Sequence, residues 1–395
     1  HRSVSRGLGD VYKRQILWLR FCRTKQGATA SFLRRSQGRD DGTALREGVC
    51  MAQQKADIKS MSMEELAAFL AAGGQPAFRA KQVFDWLHAK QAVSFAQMTN
   101  LPKALVQKLS EEAYITVHTV EKKLVSKIDG TVKYLFRLPD GEFCESVVME
   151  YKHGKSICIS TQVGCRMGCS FCASTKAGFV RHMAASEILE QVYAAQRDLN
   201  CRIGHIVLMG IGEPLDNYDN VLRFLSLVSD ERGNNISLRH VSLSTCGLVD
   251  RIDRLSEERL GLTLSVSLHA PNDAIRGRTM PVSKKWPMET LLAACRRYAE
   301  KTGRRVSFEY ALIRDLNDSM ACADELAQKL SGMLCHVNLI PVNEIKETSY
   351  KRSDGARVLA FQQRLASRGI NATVRRTLGA DISAACGQLR RGQLE

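Results

Sequence analysis

Long uncharged apolar runs are missing from this 395-residue sequence, in which no window offers the roughly 18 or more apolar residues that a membrane span requires. This absence excludes a transmembrane helix, and we expect no membrane partner and a cytoplasmic location. Internal repeats and low-complexity tracts are missing as well. Hydrophobic residues make up 44% and charged residues 25% of the chain, which is ordinary for a folded protein with a sizeable core. Disordered and collagen-like classes are therefore excluded.

Acidic residues are too few to balance the basic ones, since 41 Asp and Glu face 57 Lys and Arg and leave a formal net charge of +16. Residues 1–50 supply +7 of this charge, so the remaining 345 residues keep +9. An excess of this size favours a polyanionic partner such as nucleic acid. Four basic pairs are candidates for phosphate contacts: Lys284-Lys285, Arg304-Arg305, Arg375-Arg376 and Arg390-Arg391.

Residues 1–50 stand apart from the rest of the chain. They begin with His1, show no clean periodicity and precede the first methionine, Met51. An Arg-rich, Ser-containing segment of this kind is typical of a transit peptide, and the alternative is sequence upstream of the true start. We favour the second interpretation and expect this leader to be non-native or disordered.

Two regions with different periodicity come after the leader. Residues 51–114 show a helical pattern, with a capping box at Ser62-Met63-Glu64-Glu65 and a helix end at Gly73-Gly74. Residues 115–151 alternate apolar and polar side chains, with turns at Asp129-Gly130 and Asp140-Gly141. This pattern predicts a small antiparallel sheet that bridges the helical region to the rest of the chain.

From Ser156 onward, short β-branched runs alternate with amphipathic helices. This rhythm predicts an α/β fold with a parallel sheet, as a barrel or partial barrel. The chemistry of such folds gathers at the carboxyl ends of the strands. The predicted strands are Ile157–Ser160, His205–Met209, His240–Thr245, Thr263–His269, Val306–Ile313, His336–Val342 and Ala372–Arg375, and the predicted helices lie near 186–199, 219–230, 287–301, 318–331 and 354–368.

A secreted disulfide framework is also missing. The thirteen cysteines are an odd number in a large chain, which favours a reducing compartment where clustered cysteines mean metal or redox chemistry. Ten are scattered, and most of these are expected to be small buried hydrophobes. The other three, Cys165, Cys169 and Cys172, form a C-x₃-C-x₂-C pattern directly after the first predicted barrel strand.

Three thiolates on one loop leave a bound metal centre with an open coordination position, which is typical of catalytic rather than structural sites. The alternatives are a zinc site completed by His182 or Cys158, and three buried thiols. With Phe171 before its last cysteine, the loop resembles that of the radical S-adenosylmethionine (SAM) superfamily. The resemblance implies a partial (β/α)6 barrel whose [4Fe–4S] cluster is held by the three cysteines and chelates SAM. The SAM-binding rim that it implies comprises Gly212, Glu213, Ser244, Ser267, Leu268, His269 and Asn343.

The C-terminal run from Arg375 to Leu389, with its Ala384-Ala385-Cys386-Gly387-Gln388-Leu389 segment, resembles the dual-specificity ribosomal RNA adenine C2-methyltransferases. The helical motif from Pro76 to Gln82 resembles the N-terminal domain of the same family, and the likeness covers about 51–390. It implies that Cys386 carries a methyl group, that Cys158 resolves the intermediate through a transient disulfide, and that Glu145 accepts a proton.

The reaction implied by this resemblance overcomes a chemical problem. Carbon 2 of adenine is electron-poor, so it does not act as a nucleophile toward an electrophilic methyl group. One SAM methylates Cys386, and a second SAM yields a radical that activates the S-methyl group for addition to the base. The implied substrates are adenine 2503 of 23S rRNA and adenine 37 of tRNA. A one-electron reductant such as flavodoxin with its reductase is the implied partner of a monomeric enzyme.

The expected organisation is a leader at 1–50, a helical RNA-binding accessory domain at 51–114, a β linker at 115–151, the radical SAM core barrel at 152–380, and a tail at 381–395 that carries Cys386. One alternative function is that of the sister family, which methylates carbon 8 of the same adenine. Another is a non-catalytic iron–sulfur electron carrier or RNA-binding module, which would need neither Cys386 nor the rim.

Overall fold

The computed structural model describes residues 55–389. The predicted leader at 1–50 and the basic pair Arg390-Arg391 lie outside the described residues. Among the helices that the structure describes, none is both long and apolar enough to cross a membrane.

The N-terminal region is built of three helices, α1 (Met63–Ala72), α2 (Phe78–Phe84) and α3 (Lys103–Glu112). The predicted capping box is present, because the Ser62 hydroxyl accepts from the Glu65 amide and the Glu65 carboxylate accepts from the Ser62 amide. The short strands β1 (Ala56–Asp57) and β2 (Ala113–Tyr114) pair in parallel and close the region. The apolar faces of α1 and α3 pack into the same core as the barrel.

The β linker consists of β3 (Thr119–Val125), β4 (Val132–Arg137) and β5 (Phe143–Tyr151), which pair antiparallel. We predicted a small sheet of its own, but the structure joins these strands to the barrel. β5 turns directly into β6 (Gly154–Cys158) and pairs with it, so that Val147 lies opposite Cys158. The result is one continuous ten-stranded sheet, in which β3, β4, β5 and β6 lead into the parallel strands of the barrel.

Seven of these ten strands are parallel and form the predicted barrel-like sheet. After β6, the small hairpin β7 (Gln162–Gly164) and β8 (Phe179–His182) precedes α4 (Ala185–Leu199). Strands and helices then alternate along the chain as predicted. The strands are β9 (His205–Leu208), β10 (Val241–Thr245), β11 (Thr263–Ser267), β12 (Val306–Leu312), β13 (Cys335–Pro341) and β14 (Ala372–Val374), and the helices are α5 (Tyr218–Ser229), α6 (Val249–Glu257), α7 (Asp273–Thr279), α8 (Met288–Thr302), α9 (Met320–Leu330) and α10 (Gly355–Ser367). The order across the whole sheet is β14-β13-β12-β11-β10-β9-β6-β5-β4-β3.

Two of these helices, α6 and α7, are absent from the sequence prediction. α6 buries Val249, Ile252 and Leu255, a three-residue spacing that was present in the sequence but lay among charged residues. α7 has only seven residues, which are too few to show a clear helical period in the sequence. The residue before it, Asn272, is its N-cap, and the Asn272 side chain accepts from the Ile275 amide.

A buried ion pair joins the N-terminal region to the barrel. The ammonium group of Lys59 lies 2.7 Å from the Glu190 carboxylate on α4, and both side chains are fully buried. Lys59 also donates to the carbonyl of Thr116, at the start of the linker, and Arg197 contacts the same carboxylate. Burial alone would raise the pKa of Glu190, but the charges of Lys59 and Arg197 outweigh it and hold that pKa below its ordinary value.

Candidate active site

The cysteine loop leaves β7 in a conformation that only glycine tolerates. Gly164 has φ +76°, and a Cβ there would lie 1.8 Å from the carbonyl oxygen of Gly178 on the other side of the hairpin. The close approach lets the Cys165 amide donate to that carbonyl at 3.1 Å. Further along, the Ser170 amide donates to the Thr279 carbonyl on α7 at 2.8 Å. The loop is thus fixed at both ends.

Cys165, Cys169 and Cys172 line one large cleft at the carboxyl ends of the parallel strands. Burial raises the pKa of Cys165 to about 12 and raises that of Cys169 and Cys172 as well. Such thiols ionise when a bound metal supplies positive charge. The three therefore suit an iron–sulfur cluster, which is held by cysteine thiolates.

Among the described residues, no three His, Cys, Asp or Glu side chains come close enough to bind a single metal ion. A four-iron cluster has no such requirement, because each cysteine binds a different iron atom. The residues considered for completing a zinc site, Cys158 and His182, do not line this cleft.

The Gly-rich turn after β9 forms the next part of the wall. Gly212 has φ +106°, and a Cβ there would lie 2.6 Å from the Gln162 side chain, so glycine is required. Glu213 lines the cleft, but its carboxylate accepts from the amides of Leu215 at 3.0 Å and Cys246 at 2.7 Å. Burial raises its pKa. The carboxylate thus holds the turn together in addition to facing the cleft.

The rim predicted from the other strand ends is largely brought together. Ser244, Ser267, His269 and Asn343 line the cleft with the cysteines. Leu268 does not, because its side chain is fully buried in the core.

His269 is neutral, since burial lowers its pKa to about 3. Its Nδ1 accepts from the Ala311 amide at 2.9 Å, which places the ring proton on Nε2. Its ring also packs edge-on against Phe171 of the cysteine loop, with ring centroids 4.9 Å apart. His269 therefore presents an uncharged hydrogen-bond donor at the cleft.

The C-terminal tail lies over the cleft and is held by the barrel. The Asn343 side chain donates to the Cys386 carbonyl at 3.0 Å, so this rim residue positions the tail. The Ala173 amide, just after the cysteine loop, donates to the Gly387 carbonyl at 2.8 Å, and the Ser174 hydroxyl donates to the Leu389 carbonyl at 2.9 Å. Cys386 is thus placed beside the loop that carries the other three cysteines.

The linker holds the same tail from the other side. At the β3–β4 turn, the Ser126 hydroxyl donates to the Asp381 carboxylate at 2.7 Å, and the Gly379 amide donates to the Asp129 carboxylate at 2.9 Å. We call these four residues the hairpin clasp. The tail is therefore fixed between the barrel and the linker.

Cys158 and Cys386, which are 228 positions apart in the chain, line a second, small cavity. Cys386 lines the large cleft as well, so it lies where the two cavities meet. Both residues are free thiols in the structure. Burial, and next the neighbouring Cys386, raises the pKa of Cys158 to about 12. The geometry brings together the two cysteines singled out in the sequence.

Glu145, on β5, lines neither of the two cavities. Its side chain is fully buried, and its Oε1 lies 3.0 Å from the ammonium group of Lys133 on β4. Because side chains two positions apart on a strand share a face, Glu145 is on the same face as Val147, which lines the second cavity. Glu145 is therefore buried beside a residue of the cavity lining and is not itself part of that lining.

Two charged residues of the site were missed in the sequence. Arg375, assigned above to a phosphate-binding pair, instead lines both cavities, and its Nη1 lies 3.8 Å from the Glu309 carboxylate. Glu309 lies on β12, lines the large cleft and also accepts from the Asn338 amide group at 2.7 Å. Arg375 directly follows β14, so the strand-end rule that found the rest of the rim would have found it too.

Comparisons with known proteins give the same two regions. Residues 56–115 match the family described as "Ribosomal RNA large subunit methyltransferase N-terminal domain", and residues 159–325 match the radical SAM superfamily.

Two curated relatives cover nearly the whole described chain. A protein of Clostridium novyi (strain NT), named probable dual-specificity RNA methyltransferase RlmN, is 51% identical over 86% of this chain and 98% of its own length. A relative of the same name from Alkaliphilus oremlandii (strain OhILAs) is 52% identical over 87% of this chain and 99% of its own length.

A solved structure is also similar. The crystal structure of a radical SAM methyltransferase from Sphaerobacter thermophilus superimposes with a TM-score of 0.82 at 44% identity, and covers 85% of this chain and 99% of that one.

Proposed function

The chain belongs to the RlmN family of dual-specificity RNA methyltransferases in the radical SAM superfamily, and from this membership we propose that it methylates carbon 2 of adenine 2503 in 23S rRNA and of adenine 37 in tRNA. The family's cofactors are a [4Fe–4S] cluster and SAM. The observation that carries the proposal is that Cys386 lies where the three-cysteine cleft meets the cavity of Cys158.

Cys386 is the methyl acceptor in this proposal. Its thiolate attacks the methyl carbon of one SAM molecule and S-adenosylhomocysteine leaves, a covalent step that loads the tail before the RNA reacts. The position of Cys386 beside the cysteine loop supports this role, because a SAM bound in the large cleft is within reach of the tail.

When bound by Cys165, Cys169 and Cys172, a [4Fe–4S] cluster would supply the electron for reductive cleavage of a second SAM, and this would activate the S-methyl group of Cys386 for transfer to the base. Cys165, Cys169 and Cys172 are the proposed cluster ligands. The strand-end rim, including Gly212, Ser244, Ser267, His269 and Asn343, is the proposed SAM surface. Leu268 is left out of this surface, because it does not line the cleft and its side chain is buried.

Two further residues complete the reaction. Glu145 is the proposed acceptor of the C2 proton of adenine, because its buried carboxylate is on the same strand face as Val147, which lines the second cavity. Once the methylene carbon is bonded to carbon 2, the Cys158 thiolate attacks the sulfur of Cys386. The carbon–sulfur bond then breaks, a disulfide forms, and the released carbon takes up a proton to become the methyl group. An external thiol or dithiol must reopen this disulfide before the next turnover, and a reducing compartment such as the cytoplasm would supply it.

RNA binding is supported by the net charge of the chain, which is positive even without residues 1–50. The target adenine must leave its stack to enter a cleft of this kind. We further propose that the enzyme is a monomer and that a one-electron reductant such as flavodoxin reduces it.

The test compares two cysteine variants with the wild type, reconstituted anaerobically and given SAM, reductant and an RNA containing the target. Cys386→Ala should methylate neither protein nor RNA. Cys158→Ala should still take up the methyl group and should accumulate protein covalently attached to RNA, detected as a nuclease-sensitive shift in a denaturing gel. The double variant should form no adduct.

Two outcomes would contradict the proposal. Normal release of methylated RNA by Cys158→Ala would leave Cys158 as a core thiol. Mass spectrometry that places the methyl group on carbon 8 of the wild-type product would assign the chain's activity to that of the sister family instead.

A further inference from the structure

Lys133 occupies an unusual place for a lysine, because its side chain is 1% exposed inside the sheet. In the strand register, Lys133 of β4 lies opposite Val147 of β5, and Val147 lies opposite Cys158 of β6. Residues paired directly across neighbouring strands point to the same face of a sheet. Lys133, Val147 and Cys158 therefore form one row across the seam between the linker and the barrel.

The ammonium group of Lys133 makes two contacts on this face. It lies 3.0 Å from Oε1 of Glu145 and donates to the carbonyl of Ser383 at 3.0 Å. Ser383 is three residues before Cys386 and has φ +49°, at a bend of the tail. One cation thus contacts both the proposed proton acceptor and the segment that carries the proposed methyl group.

A buried carboxylate needs a compensating charge to remain ionised. Moving a carboxyl group out of water favours its neutral form, and an opposite charge at hydrogen-bond distance reverses this preference. A carboxyl group that already carries a proton cannot accept another. The charge of Lys133 therefore bears directly on whether Glu145 is able to act as a base.

Other titratable groups near Glu145 lie on β5, on β6 and at the second cavity. Cys144 precedes it on β5, and Cys158 lies on the same face of β6. Arg375 and Cys386 line the cavity that Val147 shares. Of these, Arg375 is the second cation, and it is already 3.8 Å from Glu309.

We propose that Lys133 is a positioning residue for the proton-transfer step: its ammonium group holds the Glu145 carboxylate ionised and fixes it next to the tail at Ser383. The inference rests on the proposed function for the role of Glu145. The charge state of Glu145, however, is a property of the protein alone and is measured without turnover.

The first measurement is infrared spectroscopy of the reconstituted enzyme between pH 5 and 9. Wild type should show no band of a protonated carboxyl group from Glu145 at pH 7, with Glu145→Gln as the reference. Lys133→Met, which keeps the length of the side chain but removes its charge, should gain that band. Lys133→Met/Glu145→Gln should lose it again.

The second measurement is the pH dependence of methylated RNA formation, followed together with 5′-deoxyadenosine formation and methylation of Cys386. In Lys133→Met, the acid limb of RNA methylation should move up by about 1–3 pH units, so that activity at pH 7 falls by roughly tenfold and recovers in alkali. Lys133→Arg should keep the wild-type profile.

The matched control is Lys155→Met. Lys155 also faces a glutamate across neighbouring strands of this sheet, 2.8 Å from Glu150, but the two side chains are 30% and 67% exposed. This variant loses the same charge from the same sheet, and neither its spectrum nor its pH profile should change.

Each outcome decides between the two proposals. An ionised Glu145 in Lys133→Met, or a protonated one in wild type at pH 7, would overturn the role of Lys133 whether or not RNA is methylated. If Lys133→Met does not fold, the wild-type spectrum alone decides whether Glu145 is ionised. A gained band with an unchanged acid limb would also overturn the role of Lys133. If wild type cleaves no SAM or methylates no RNA, the proposed function fails instead, and the infrared result still decides the charge state.

Discussion

Replacing Lys59 by methionine removes the cation that links the N-terminal helices, the linker and α4. The change leaves the carbonyl of Thr116 without this donor and the buried carboxylate of Glu190 with the charge of Arg197 alone. Breaking a buried ion pair by removing one partner costs about 3–5 kcal/mol. We expect the lower end of this range because Arg197 remains.

The lower end of this range, about 3 kcal/mol, corresponds to a fall in the melting temperature of about 4 °C, given an unfolding entropy of about 2.1 cal/mol/K per residue. Thermal unfolding followed by circular dichroism at neutral pH and equal iron content measures it. The control is Lys155→Met, whose exposed ion pair with Glu150 is worth about 0–1 kcal/mol and about 1 °C. If Lys59→Met and Lys155→Met have the same melting temperature, the buried ion pair does not hold the three regions together.

Three more predictions concern acid stability and the cysteine loop. Burial lowers the pKa of His88 to about 3 and that of His118 to about 4, so both are neutral in the fold, and the stability they contribute is complete above pH 6.5 and is lost as the pH falls toward those values. Denaturant titrations at pH 7.5 and 5.5 should show a loss of about 1 kcal/mol for each histidine, and an unchanged loss in the double Gln variant would refute this. Alanine at any one of the three loop cysteines should abolish the binding of about four irons per chain, whereas Cys201→Ala should retain it, as iron and sulfide analysis would show. Gly164→Ala should lose the iron because its Cβ meets the Gly178 carbonyl at 1.8 Å, whereas Gly204→Ala, which has no positive φ and no atom within 4 Å of the added Cβ, should keep it; equal iron contents would argue against a rigid loop.

The strand order and the rim were open to prediction because they depend on local pattern. β-branched runs alternating with helices predict parallel strands, and the ends of such strands meet on one edge. This rule alone brings Ser244, Ser267, His269 and Asn343 together, as the structure does. The neighbourhood of Cys158 and Cys386 came instead from the resemblance to a known family, because no local pattern relates residues so far apart.

Other features depend on register and on partners, which the sequence does not show. A slip of one residue in β4 would turn Lys133 to the opposite face of the sheet, so its contact with Glu145 follows only from the observed pairing. The role of Asn343 in holding the tail, and the satisfied carboxylate of Glu213, likewise depend on which backbone groups happen to lie nearby.

The continuity of the ten-stranded sheet changes what a minimal version of this protein would contain. A fragment cut at the predicted boundary of residue 152 would keep the cysteine loop and the rim, yet it would leave β6 as a raw sheet edge. It would also lack Glu145, Lys133 and one half of the hairpin clasp. The linker is therefore not a detachable spacer, and the smallest transferable unit for grafting or for studying the reaction begins before β3.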